Sequence, residues 1–361
     1  MTTADRAQLW QRLCDAGLAG GDMPAASTIA TPWYVRLMLG LAGWIGAWFF
    51  IGFLGTILAL VFRSGLATLG IGALCCAGAA VVFRTTHDGD VVPQFGLAVS
   101  LAGQILVVAG LFNLLGEHLT ATLYLLIAAF EIGLVAIVAH GIHRAWSTVA
   151  ATVAMSLALN ELGAYGAHGL ASGLAAATFA GIWLNEPRWI TRGALWRPIG
   201  YGVAIALIWF DGFTLATQAI SSFSDRVAVP AVLAWLGRAM AGVVLVYAVS
   251  RLLAPSSLAV SNRTRLAILA ATGVVAVLTI GAPGVAVSLL ILVVGFAGGH
   301  RTLSGLGVAS LLGYLCWFYY SLHATLLTKS VVLMTTGMVL IVAWAGLRAI
   351  AGDADREDEH A

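Results

Sequence analysis

Three ionisable residues lie in apolar surroundings where a charge is expensive. Asp211 sits in LIWFDGFTLATQ, residues 207–218, Arg238 in the apolar run from 231, and Glu131 in the run from 119. An unpaired charge near the centre of a bilayer costs about 2.5 to 3.5 kcal/mol on insertion scales, so such groups mark either a pairing or a site. Asp211 lies 14 residues beyond Arg197, about 21 Å along a helix rising about 1.5 Å per residue. Arg238 lies 13 residues before Arg251 and Glu131 13 residues before Arg144, each about 20 Å by the same rise. If those arginines mark one membrane face, all three share a depth. Asp211 and Arg238 on neighbouring antiparallel spans then form an intramembrane pair that offsets the cost of burial without adding net stability. Two acids against one arginine leave Glu131 without a counter-charge. The layer reads equally as a binding and proton site or as structural pairing.

Further polar residues fall near the other ends of the apolar runs: Asn113, Glu117, His118, Asn160, Glu161, His168, Gln218, His323 and Lys329. Singly each is an ordinary interfacial residue, but their gathering on one side predicts a polar cavity open to the periplasm. Enzyme motifs are missing. Lys329 is the only lysine, which excludes a P-loop, and neither H-E-x-x-H nor G-x-S-x-G occurs. His140 and His143, or Glu117, His118, Glu161 and His168, have metal-ligand types, yet interfacial placement accounts for them and no metal site or cofactor is expected. Cys14, Cys75, Cys76 and Cys316 show no CxxC spacing and read as structural.

The elements that must position these residues follow from composition. The 361 residues are 60% hydrophobic and 9% charged, with a mean hydropathy of +0.96, too few charges to coat a soluble domain. A net charge of +2 without a basic run argues against nucleic acid as a partner. Spans of about 20 apolar residues predict an all-α, twelve-helix bundle: 37–62, 65–83, 91–115, 119–139, 146–164, 167–184, 198–218, 231–253, 264–281, 283–299, 302–323 and 330–350. The connecting loops are very short at Pro283 and around Gly116. With the N-terminus inside, every basic residue falls on the cytoplasmic side except Arg63, Arg226 and Lys329, which fall outside, and Arg238 within a span. Both termini are therefore expected in the cytoplasm. Residues 1–32 form a cytoplasmic segment too polar for a secretory signal, with Leu9, Trp10, Leu13 and Leu18 as an apolar helical stripe. Residues 33–350 form the transmembrane domain and 351–361 an acidic tail. Gly169, Gly173, Ala177 and Gly181 line one face of the sixth span and permit close helix contact.

Two stretches, TPWYVRLMLGLAGWIGAWFFIGFLG at 31–55 and YYSLHATLLTKSVVLMTTG at 319–337, with LWQRLCDAGL ahead of them, resemble the bacterial domain-of-unknown-function family 4401. The resemblance implies a multi-pass protein of the bacterial inner membrane, similar to ones encoded beside GDYXXLXY-type membrane proteins. It assigns no activity and no functional residue; Lys329 falls in the TLLTKS match. Two functions stay open. One is a small-solute permease or proton-coupled carrier using Glu131, Asp211 and Arg238. The other is a non-catalytic scaffold or sensor docking a partner such as a GDYXXLXY-type protein.

Overall fold

The computed structural model describes residues 3–17, 20, 21, 23, 64–85, 91–116, 120–162, 167–221, 232–254 and 262–321, with a few isolated positions elsewhere. All regular structure among them is helical. The N-terminal stripe is helical as α1 (Thr3–Asp15). Ten of the expected spans are occupied by α2 (Gly65–Thr85), α3 (Val91–Leu115), α4 (Thr120–Ile137), α5 (Gly141–Glu161), α6 (Ala167–Trp183), α8 (Gly193–Ser221), α9 (Val232–Leu252), α10 (Asn262–Leu278), α11 (Val285–Ala297) and α12 (Arg301–Ser321). A short α7 (Glu186–Trp189) and a 3-10 turn (Ile190–Arg192) link α6 to α8. The first and last expected spans and the tail lie outside the described residues.

Among the described residues six helices are long and apolar enough to cross a membrane, and Ala121–Ile137 and Val285–Ala297 are shorter apolar ones. Their outward side chains match. Leu74, Val243, Leu278 and Phe296 are all more than two-thirds exposed, a surface that water would not tolerate in such density. The chain is divided into separate helices at both short connections, around Gly116 and at Pro283. Gly116 after α3 and Gly284 before α11 both have positive φ, at 62° and 85°, which ends one helix and re-aims the chain.

Successive helices run antiparallel, so the bundle has two ends. End A gathers residues 85, 91, 137, 141, 183, 193, 252, 262, 297 and 301; end B gathers the others. Small residues set the helix spacing. Gly72 of α2 faces Gly103 of α3, where a Cβ on either would lie 2.6 or 2.8 Å from the other's carbonyl oxygen. Gly169 and Gly173 of α6 meet Ala234, Gly237 and Met240 of α9 just as closely, whereas a Cβ at Gly181 would meet nothing within 4 Å among the described residues. Half of the predicted stripe therefore packs inward, and Ala177 and Gly181 are exposed. The largest core joins α6, α8, α9, α11 and α12 around Phe179, Leu207, Phe210, Leu290 and Leu303.

Side chains close the helix ends. Arg84 Nη2 donates to the Ile137 carbonyl at 3.2 Å and Arg144 Nε to the Val135 carbonyl at 3.0 Å, supplying donors to the C-terminus of α4. Pro198 in α8 has no N–H for the Ala194 carbonyl, and Arg144 Nη1 takes that place at 2.9 Å.

A methyl group at Gly237 collides with the Gly169 carbonyl. Gly237→Ala should therefore cost about 1 to 3 kcal/mol by overpacking, read as a lower Tm in detergent, while Gly181→Ala leaves Tm unchanged.

Candidate functional site

Asp211 is 6% exposed in the middle of α8. Its Oδ1 accepts the Ser172 hydroxyl of α6 at 3.2 Å, and the Gly284 N–H at the start of α11 donates to the carboxylate. A negative charge at a helix N-terminus is favourable because the first N–H groups lack intrahelical partners. Gly284 is required twice over: its φ is left-handed, and a Cβ there would enter the Tyr314 ring of α12. Tyr314 in turn donates its hydroxyl to the Ile208 carbonyl, three residues before Asp211. Arg238 of α9 lies within electrostatic reach of Asp211 but makes no N–O contact with it; the two ion pairs among the described residues are Arg197–Glu186 and His300–Glu186. The Arg238 guanidinium sits 5.4 Å from the Trp235 ring centroid instead. The expected partners thus share a depth, and the close donors to Asp211 are a hydroxyl and a helix N-terminus.

Glu131 belongs elsewhere. It is 2% exposed, six residues from the end of α4, about 9 Å from end A. Ser172 is five residues, about 7.5 Å, from end B. No hydrogen bond or ion pair joins Glu131 to Asp211 or Arg238 among the described residues, and the expected single layer becomes two separate clusters. The reason is the marker used for depth. Arg144 is not in a loop but in the first turn of α5, folded back level with Val135, so residues beyond Ile137 add no depth.

Around Glu131, four helices contribute a buried polar chain. Glu131 is hydrogen-bonded to Ser147, and Gln104 Nε2 donates to Ser147 Oγ and to His143 Nε2, both at 3.0 Å. Ser100 Oγ lies 2.7 Å from the same His143 nitrogen, and Cys76 Sγ donates to the Ser100 carbonyl at 3.6 Å. The amide nitrogen of Gln104 can only donate, so His143 Nε2 accepts and the ring proton is on Nδ1. At the end of α4, His140 stacks on Phe83 with ring centroids 4.6 Å apart and accepts the His143 N–H. Burial lowers the pKa of His140 and favours the neutral ring that this bond needs. Within this hydrogen-bonded network Glu131 Oε2 and His143 Nδ1 have no partner among the described residues. Sequence reasoning found Glu131 and discounted His143. Ser100, Gln104 and Ser147 were missed, although their spacing as single polar residues in apolar helices was the available signal.

Only some of the residues expected to line an outer cavity are among those described. His168 is held by Ser156 at 2.7 Å and ringed by Trp209 and Phe213; Asn113 and Glu161 are exposed and Asn160 half-buried. Glu117, His118, His323 and Lys329 lie outside the described residues, as does the side chain of Gln218. Among the described residues no three His, Cys, Asp or Glu gather as a metal site.

An all-α bundle with an apolar outer surface and buried polar clusters defines a protein of the membrane-embedded class. The chain belongs to the family described as Domain of unknown function (DUF4401), matched over residues 32–349. No curated protein and no solved structure matches it.

Removing the Asp211 carboxylate strands the Ser172 hydroxyl and the Gly284 N–H. Asp211→Ala should cost about 1.5 to 3 kcal/mol, the range for hydrogen bonds to charged groups. In double-mutant cycles on detergent-solubilised protein, coupling of Asp211 to Ser172 should exceed its coupling to Arg238; the reverse order would restore the direct ion pair.

Proposed function

We propose that the protein is a proton-coupled carrier of a small solute in the bacterial inner membrane, with about twelve spans and both termini in the cytoplasm. One observation carries the reading. Glu131 is a buried carboxylate with an unfilled oxygen, at one end of a hydrogen-bonded chain whose other end, His143 Nδ1, is also unfilled. Ionisable groups inside membrane helices characteristically serve proton relays and ion pathways. Asp211, by contrast, has its donors and acts as an anchor. Both carboxylates are sealed in this conformation, as in the occluded state of a carrier that opens alternately to either side.

The second reading, a non-catalytic component docking a GDYXXLXY-type protein, draws on Ala177 and Gly181, exposed small residues on α6 where another helix can approach.

The test is thermal stability of the purified protein against a panel of ions and metabolites at two pH values. A solute at about a hundredfold over its Kd adds about 2.7 kcal/mol to the folded state. The carrier reading expects a pH-dependent Tm rise in wild type that Glu131→Gln abolishes and Asp211→Asn retains at a lower baseline. No response to any solute, with a partner co-purifying from native membranes and lost in Gly181→Leu, favours the docking component.

A further inference from the structure

A groove of about 400 Å³ runs lengthwise down the bundle between α5 and α6, with α8 as its floor and α4 on one flank. Its walls are Thr148, Met155 and Leu159 of α5 and Leu174 and Thr178 of α6, over Val203 of α8. These positions recur at helical spacing, so the slot is parallel to the helix axes. Along α5 it extends 11 residues, about 16 Å, or the depth of one leaflet in a hydrocarbon core about 30 Å thick. Leu174 and Met155, 50% and 40% exposed, form its lips, and it opens sideways where the membrane reading puts lipid.

Charge is gathered at one end of this slot. Val135 lines the groove at end A, and its carbonyl holds Arg144 Nε. Arg144 is otherwise bonded to the neutral Ala194 carbonyl, and no carboxylate pairs with it among the described residues. Arg188 and Arg192, both exposed, lie on the connector between the α6 wall and the α8 floor at the same end. Glu186, the acid of that connector, is already engaged by Arg197 and His300. An apolar slot one leaflet deep, beneath a rim where Arg144 pairs with no carboxylate among the described residues, has the chemistry that suits an anionic phospholipid.

We propose that the groove holds one acyl chain of an anionic phospholipid, with its headgroup phosphate at Arg144. The site is independent of whether the protein carries a solute. The protein is purified in mild detergent and its retained lipid measured by native mass spectrometry; delipidated protein is then titrated with phosphatidylglycerol or phosphatidylcholine and its Tm followed. Wild type should retain phosphatidylglycerol and gain Tm from it but not from phosphatidylcholine. Leu174→Trp and Met155→Trp, which fill the slot from opposite lips, should lower the affinity about tenfold while leaving Tm in lipid-free detergent unchanged. Arg144→Gln should erase the difference between the two lipids, an effect that its structural bonds alone would not produce. Equal response to both lipids in wild type, or unchanged retention in both tryptophan variants, overturns the proposal. A tryptophan variant that keeps its lipid and changes its oligomeric mass also overturns it and makes the groove a protein interface.

Discussion

The Asp211 carboxylate receives the Ser172 hydroxyl and the Gly284 N–H, and the second half of the bundle is arranged about that contact. In hydrocarbon there is no water to complete a polar group, so its partners must come from neighbouring helices. Here they come from the side of α6 and the tip of α11. The tip reaches Asp211 because Gly284 turns the chain at a left-handed φ and because its missing Cβ leaves space for Tyr314. The close Gly169–Gly237 approach between α6 and α9 brings Arg238 to the same level, where its charge is felt without a direct bond.

The two buried acids have opposite electrostatic situations. Asp211 receives two donors fixed on rigid elements, a helix N-terminus among them, which offset part of the cost of burying its charge. Glu131 has a single hydroxyl partner and a free oxygen, in a chain that continues through Gln104 to His143. A satisfied buried polar group specifies a structure, while a partly satisfied one is costly unless it is used. The same principle separates an anchor from a candidate site within one bundle.

End A has a comparable economy of donors. Arg84 and Arg144 both close the C-terminus of α4, and Arg144 also fills the vacancy that Pro198 leaves at the Ala194 carbonyl. Glu186 joins Arg197 of α8 to His300 ahead of α12, tying two connectors together. Basic residues at this end therefore serve backbone carbonyls as well as the aqueous face, and among the described residues Arg84 and Arg144 pair with no carboxylate.

The sequence by itself determined the membrane-type all-α class, the placement of the ten expected spans that fall among the described residues, and the presence of costly buried charges. Apolar runs of membrane length leave the backbone no alternative to helix, and the breaks read at Gly116 and Pro283 fall where α3 ends and just before α11 begins. It also placed Asp211 and Arg238 at one depth, because the distances to Arg197 and Arg251 run along single helices. Glu131 failed by the same method because Arg144 had turned back into the next helix, and a count along the chain cannot register a reversal. What only the tertiary structure decided is which donors meet which acids. Ser172, Gly284, Ser147 and Gln104 are unremarkable in one dimension, since a hydroxyl or an N–H carries no sign of the helix it will face. Hydrogen bonds are made over about 3 Å, and that selection belongs to the packing of helices, not to their spelling.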